Sequence, residues 1–210
     1  MHPRGLQQTH RRCVVIKQPG TDLDSALHID DPHVSYAFYG KLDQHRSEWF
    51  RFNGMRDSTV FVQLLVPETV DLQTISMRAM LIGPGLPDSA KTMVLPKGYG
   101  TTTVELNPES AGRYYEKFTQ VGYHASPPLR IKLPADGAVG IVVNGSEAPY
   151  VLAVGTRESF GPGDIVRFPI WWRNAREHAG LPVWYGLVIF GLIVVGIAYL
   201  LIRIVVRISR

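Results

Sequence analysis

The side chains best suited to hold a metal are seven histidines, one cysteine and several aspartates near the start of the chain. The histidines form neither His-x3-His nor His-Glu-x-x-His pairs, the spacings that aim two imidazoles at one zinc ion. A single cysteine excludes a Cys-x-x-Cys site and a disulfide within the chain. His28 and His33 flank Asp30 and Asp31, but a solvated acidic turn explains this pattern better, and no Asp-x-Asp-x-Asp-Gly calcium loop exists. We predict no metal site and no cofactor.

Two serines were considered as nucleophiles. Ser110 lies in Glu-Ser-Ala-Gly and Ser159 in Glu-Ser-Phe-Gly, and neither has the Gly-x-Ser-x-Gly elbow that exposes a catalytic hydroxyl. The Gly-Pro-Gly segments at 83–85 and 161–163 are not followed by Gly-Lys-Ser/Thr, so they are turns and not phosphate loops. A paired-carboxylate glycosidase stays open, although most acidic residues lie in predicted turns. We predict a non-enzymatic protein with no catalytic residues.

Charge and composition bear on the class of partner. The 210 residues carry a formal charge of +4, with 45% hydrophobic and 19% charged residues. The basic residues are scattered, and several lie beside an apolar segment at the C-terminus, so they do not form the basic patch typical of nucleic-acid binding. We therefore expect no nucleic-acid partner.

Between residues 34 and 154, short runs of alternating or β-branched residues are separated by turn-forming residues such as Asn53-Gly54 and Asn144-Gly145. In the second run, Trp49 and Arg51 alternate with phenylalanines, the period-two pattern of a half-buried strand. The pattern predicts an all-β sandwich or jelly roll. The predicted strands are 34–39, 48–52, 59–66, 76–82, 101–106, 129–133, 139–143 and 150–154.

Three phrases carry a family resemblance. The phrase VSYAFYGKLDQHRSEWFRFNG, together with LPADGAVGIVV and PYVLAVG, spans about residues 34–155. It resembles the bacterial pre-peptidase C-terminal type of β-sandwich. The resemblance implies a sandwich fold in an exported protein and little about activity. Ser47 and Glu48 stand where the family has aspartates, so a metal-binding role is not carried over.

The sequence VWYGLVIFGLIVVGIAYLLI at 183–202 contains no charge and, at about 1.5 Å per residue, is about as long as the hydrocarbon layer is thick. It predicts one C-terminal transmembrane helix over 183–206, with the lipid bilayer as a partner. Aromatic rings at its entry and arginines at its end would anchor it. The predicted anchoring residues are Trp171, Trp172, Trp184, Tyr185, Arg203, Arg207 and Arg210.

Three glycines lie in this segment at five-residue spacing, at 186, 191 and 196. This spacing does not align them on one face, unlike a small-xxx-small motif. Each glycine could allow close approach of a neighbouring helix. We favour the interpretation that these glycines are simply tolerated, as glycine commonly is in membrane helices.

The remaining chain is divided into an extended basic arm (1–26), the β-sandwich domain (27–166), an interfacial aromatic and basic collar or plain linker (167–182) and a basic tail (207–210). Arginines lie on both sides of the predicted span, so the positive-inside rule does not orient it. We expect a single-pass membrane protein with a periplasmic domain, and a cytoplasmic domain stays open.

The segment ESAGRYYEKFTQVGY at 109–123 interrupts the strand pattern and predicts a long loop rich in aromatic residues. Its rings either cover one end of the core or meet a partner. The basic arm is a second candidate contact. The predicted partner-contact residues are Arg11, Arg12, Tyr114, Tyr115 and Phe118.

From these features we expect an accessory, structural subunit of a larger integral-membrane complex, for example a bacterial photosynthetic or respiratory assembly. It would bridge other integral-membrane subunits through its β-domain and N-terminal arm. The alternative is a membrane-tethered module that binds a carbohydrate, a peptide or a metal through its loop aromatics.

Overall fold

The computed structural model describes residues 12–15, 20, 22–43, 46–87, 95–117, 119–158 and 162–208. Within them, twelve strands and two α-helices are formed, with a short 3-10 turn at Leu72–Thr74. The strands are β1 (Arg12–Val15), β2 (Leu27–His28), β3 (Tyr36–Lys41), β4 (Glu48–Gly54), β5 (Thr59–Pro67), β6 (Met77–Pro84), β7 (Tyr99–Leu106), β8 (Gly112–Glu116), β9 (Val121–Ala125), β10 (Leu129–Lys132), β11 (Gly137–Gly145) and β12 (Pro149–Val154). The helices are α1 (Pro162–His178) and α2 (Trp184–Ile208).

The strands form two sheets. The first sheet has the order β1-β3-β12-β5-β9-β8, and β10 pairs with β5 beyond the end of β9. The second sheet has the order β2-β4-β11-β6-β7. The pairs β1–β3 and β2–β4 are parallel, and the other pairs are antiparallel.

One apolar core lies between the two sheets. In β4, Phe50 and Phe52 are 1% exposed while Arg51 faces solvent, as period-two alternation requires. They join Leu64 of the first sheet and Ile141 of the second in one buried cluster. Burial of each such side chain stabilises the fold by roughly 2 kcal/mol. The two sheets are therefore the layers of a β-sandwich.

The first sheet is buried on both faces. Its outer face contributes Tyr39, Phe61 and Val151 to a second cluster, which also contains Ala175 and Ala179 at the end of α1. Two-sided burial explains why β5 is almost continuously apolar and not alternating.

A buried polar contact joins the sheets. The Tyr150 hydroxyl on β12 donates a hydrogen bond to the Glu48 carboxylate on β4, and both side chains are buried. Burial raises the pKa of Glu48, and the hydrogen bond from Tyr150 partly opposes this effect. Gly40 lies opposite Tyr150, and a Cβ there would come within 2.7 Å of the ring. Glycine at this position makes room for the tyrosine.

The β-rich prediction is confirmed, and each of the eight predicted strands overlaps an observed strand. Four strands were not predicted, namely β1, β2, β8 and β9. The segment expected to be a long loop instead forms the hairpin of β8 and β9. In β8 the adjacent Tyr114 and Tyr115 interrupt the period-two pattern. In β9 the pattern is present, with Val121, Tyr123 and Ala125 buried, and β9 pairs with β5.

The prediction of a transmembrane helix at the C-terminus was wrong, and with it the single-pass membrane localisation. Among the residues that the structure describes, no helix combines the length and apolar character needed to cross a bilayer. The first turn of α2 packs against α1, and its last turns contain Arg203 and Arg207.

Candidate functional site: the junction between the β-sandwich and helix α2

The end of α1 is fixed on the outer face of the first sheet. Ala175 and Ala179 are buried there, and their small side chains allow close approach. The His178 ring donates from Nε2 to the Tyr150 carbonyl at 3.0 Å and packs edge-on against Tyr39. The Thr69 hydroxyl donates to the Ala179 carbonyl at 2.8 Å. Three independent contacts therefore hold this end of the helix.

The chain leaves α1 through a Schellman turn. The Leu181 N–H donates to the Arg176 carbonyl and the Gly180 N–H to the Glu177 carbonyl. Gly180 has φ +67°, the left-handed conformation that this turn needs and that glycine adopts without strain. Leu181 then packs against the outer cluster of the first sheet. The position at which α2 begins is thus set by the end of α1.

Arg176 is the central side chain of the junction and is only 5% exposed. Its Nε donates to the Pro182 carbonyl at 3.1 Å, and its Nη1 donates to the Thr119 carbonyl at 3.0 Å. The guanidinium also lies 5.2 Å from the Trp172 ring centroid and 5.0 Å from that of Tyr185. In the described part of the chain, Arg176 makes no ion pair with a carboxylate. Carbonyl dipoles and aromatic faces hold its charge.

The turn between β8 and β9 directs two backbone carbonyls at Arg176. Gln120 has φ +57°, a conformation uncommon for a residue with a side chain. The Glu116 carboxylate accepts hydrogen bonds from the backbone N–H and the hydroxyl of Thr119, both at 2.6 Å. The carbonyls of Thr119 and Gln120 both approach Arg176 Nη1. The strained turn therefore presents acceptors to the buried cation.

The first turn of α2 packs on Trp172 through Gly186. A Cβ at Gly186 would lie 2.0 Å from the Trp172 ring, which leaves no room for a side chain. Tyr185 meets the same ring edge-on at 6.2 Å. Around Gly191 and Gly196, by contrast, a Cβ would meet no described atom within 4 Å. Only the first of the three glycines is thus a packing contact with α1.

Beyond its first turn, α2 exposes large apolar side chains. At about 100° per residue, they point to all sides of the helix and not to one face. Arg203 and Arg207 are exposed on one face near its end, and the Arg203 guanidinium lies 6.0 Å from the Tyr199 ring. The side chains that are at least half exposed are Val188, Ile189, Leu192, Val194, Val195, Tyr199, Ile202, Ile204 and Val206.

The structure brings together two of the residues predicted to anchor the chain, Trp172 and Tyr185, beside the Arg176 guanidinium. Trp171 is partly buried on α1, and Trp184 is 68% exposed. Arg210 lies outside the described residues.

The predicted partner-contact residues are spread over the chain. Tyr115 is 56% exposed on the edge strand β8, whereas Tyr114 is partly buried beside Tyr123. Arg12 opens β1, which pairs with β3. Arg11 and Phe118 lie outside the described residues.

Two important residues were missed by sequence reasoning. Arg176 was one of several arginines before the apolar segment, and nothing in its neighbours marks it as buried. Gly186 was considered as a close-packing site but was not favoured. A usable signal was Trp172 four positions before Arg176, since this spacing places both on one helical face.

Outside the junction, the described residues do not bring the candidate metal ligands or nucleophiles together in one site. No group of three or more His, Cys, Asp or Glu side chains is placed to hold a metal there. Ser110 belongs to a turn in which its N–H bonds to the Asn107 side chain and its hydroxyl donates to the Glu105 carbonyl. Ser159 lies outside the described residues.

Comparison with known proteins adds no relative. No protein-family model matches the chain, and a search of curated proteins finds no match either. The resemblance to the pre-peptidase C-terminal sandwich therefore stays a prediction.

Proposed function

We propose that this chain is a non-enzymatic accessory subunit that joins a larger protein assembly by inserting α2 among apolar helices of partner subunits. The observation that supports this most directly is the exposed apolar surface of α2 on all sides beyond its first turn. Exposed apolar surface of this extent marks an interaction site.

The all-round exposure favours more than one partner helix. A single flat partner surface would cover one side of α2 and leave the others in water. Each half-exposed Leu, Ile or Val gains roughly 1 kcal/mol on full burial, so several such residues offset the cost of association.

The charge of α2 adds a chemical condition on the partner. Arg203 and Arg207 lie one turn apart at its far end, and the described turns before them carry no charge. A matching partner surface is apolar along most of its length and carries carboxylates near one end. The sandwich and α1 then act as a platform that holds α2 at a set angle.

Affinity purification of the N-terminally tagged full chain in a mild non-ionic detergent tests the proposal. We expect partner proteins in a fixed stoichiometric ratio. The double substitution L192E and V195E should abolish their recovery, because it places charges among apolar helices. Met55→Glu is the matched control, since Met55 is 63% exposed in the turn between β4 and β5 of the sandwich.

Three results would contradict the proposal. These are recovery of the chain without partners, recovery of copies of this chain alone, and flotation of the purified chain with protein-free lipid vesicles that depends on Leu192 and Val195. Equal loss of partners in the Met55 control would also argue against α2 as the contact.

A further inference from the structure

A polar cavity lies at one end of the second sheet. It has a volume of about 400 Å³, within the range of small-ligand sites. Its lining includes Arg46 and Ser47 before β4, Arg78 on β6, Glu105 on β7, and Asn144 and Gly145 at the end of β11.

Strand register brings three of these side chains into one row. Arg78 pairs with Asn144 on one side and with Glu105 on the other. Arg78 is exposed between the buried Met77 and Ala79, so it lies on the outer face of the sheet. Directly opposed residues on one sheet face are within reach of each other. The row therefore presents an amide, a guanidinium and a carboxylate side by side.

The guanidinium of this row is directed toward the amide and not toward the carboxylate. Arg78 Nε donates to Asn144 Oδ1 at 2.7 Å. Among the described residues, Arg78 and Glu105 form no ion pair although their strands place them opposite each other. The cavity lining thus includes a guanidinium and a carboxylate that are not joined in an ion pair.

Arg46 increases the positive charge of the lining. Its ion pair with Asp43 is long, at 4.0 Å, and both side chains are about two-thirds exposed, so this pair is weak. Among the described residues, the lining therefore includes two arginines and one acidic residue. A planar guanidinium recognises a carboxylate through parallel hydrogen bonds, whereas Glu105 accepts from an ammonium group.

Gly145, at the end of β11, is part of the cavity lining. Gly145 has φ +141°, and a Cβ there would lie 2.3 Å from the Ser76 carbonyl oxygen. Glycine lets the ends of β11 and β6 approach closely. The described lining residues include no aromatic ring, so they offer no stacking platform for a sugar.

From this geometry we infer that the cavity binds a small zwitterion, of the size of an amino acid or dipeptide. Arg78 and Arg46 hold its carboxylate, Glu105 holds its ammonium group, and Asn144 keeps the Arg78 side chain in place. The inference is independent of the role of α2, because every residue involved belongs to the sandwich.

Isothermal titration of the full chain with glycylglycine tests the inference. We expect saturable binding at millimolar concentrations. N-acetylglycylglycine, without the ammonium group, and glycylglycinamide, without the carboxylate, should each bind at least tenfold more weakly. Absence of saturable glycylglycine binding, or equal binding of all three probes, would overturn the inference.

Two substitutions separate the roles of the two charges. Arg78→Gln should weaken glycylglycine binding at least tenfold. Glu105→Gln should weaken glycylglycine but leave N-acetylglycylglycine unchanged, which a general loss of structure would not do. Arg113→Gln is the control, since Arg113 pairs with Glu68 on the first sheet. Unchanged binding by either cavity variant would overturn the assignment.

Discussion

Arg176 shows how one side chain can join four parts of a chain. Its guanidinium contacts the turn between β8 and β9, the connection between the helices, and rings on α1 and α2. A buried charge without a carboxylate depends on its other contacts, because it has lost its hydration. Removal of the side chain would leave the Thr119 and Pro182 carbonyls without this donor.

We expect Arg176→Met to lower the free energy of unfolding of the full chain by about 1–3 kcal/mol, the cost of buried acceptors left without donors. Urea denaturation followed by circular dichroism measures this. Arg173→Met is the matched control, because exposed Arg173 pairs only with Glu177 one turn away in the described structure. Its loss should cost about 0.5 kcal/mol or less. Equal effects of the two substitutions would refute the role assigned to Arg176.

His178 introduces a dependence on pH at the same helix end. Burial lowers its pKa below the ordinary value of 6.5, and the hydrogen bond to the Tyr150 carbonyl partly opposes this shift. Between the lowered pKa and 6.5, the unfolded chain binds more protons than the folded chain. The contribution of His178 to stability is therefore complete above pH 6.5 and is lost as the pH falls through this window.

We expect the fold to be less stable at about pH 5.5 than at about pH 7.5, and His178→Gln to reduce this difference. Glutamine can still donate to the Tyr150 carbonyl but does not titrate. The raised pKa of Glu48 acts in the opposite direction, because its stabilising effect is lost as the pH rises. Urea denaturation of Glu48→Gln at both pH values separates this opposing contribution from that of His178. An unchanged pH dependence in His178→Gln would exclude this histidine as its source.

At the scale of elements, the contact between α1 and α2 depends on the absence of a side chain at Gly186. The Trp172 ring occupies the space where a Cβ would lie. Because Tyr185 and Arg176 pack on the same ring, displacement of the ring would loosen the whole junction. The angle at which α2 leaves the sandwich is thus a consequence of one glycine and one tryptophan.

We expect Gly186→Ala to lower the free energy of unfolding by about 1–3 kcal/mol through overpacking and to speed tryptic cleavage after the buried Arg176. Gly191→Ala is the matched control, since open space surrounds it in the described structure. That change should be neutral or stabilising by up to about 1 kcal/mol, because alanine favours the helix. Faster cleavage in the Gly191 variant alone would contradict the packing assigned here.

At the scale of the whole molecule, the sandwich and α1 form one folding unit and α2 extends from it. The outer cluster of the first sheet includes α1 residues and Leu181, while α2 contributes its first turn to the junction. The apolar clusters of the sandwich are therefore covered without most of α2.

We expect a chain that ends at residue 183 to stay folded, with a near-ultraviolet circular dichroism spectrum of fixed aromatic rings and a cooperative urea transition. A chain that ends at residue 161 should be less stable by several kcal/mol, because Tyr39, Phe61 and Val151 lose the cover of α1. If both truncated chains were equally stable, α1 would not be part of the folding unit.

Much of the sandwich is predictable because strands with one buried face alternate locally, as Phe50 and Phe52 do in β4. Strand β8 was not predictable in this way, since Tyr114 and Tyr115 are adjacent and its one partner is β9 in the described structure. Strand β9 does alternate, with Val121, Tyr123 and Ala125 buried, and this pattern was overlooked. The transmembrane interpretation was wrong, because no helix in the described part of the chain has the length and apolar character that a membrane span needs.

The β-rich class, the eight predicted strands and the apolar character of α2 follow from local sequence, because these features depend on neighbours within a few residues. The junction and the polar cavity arise from contacts between distant parts of the chain. Arg176 and Thr119 lie 57 positions apart, and Arg78 and Asn144 lie 66 apart. Strand pairing and helix docking bring such residues together, and a local sequence pattern does not predict contacts over this separation.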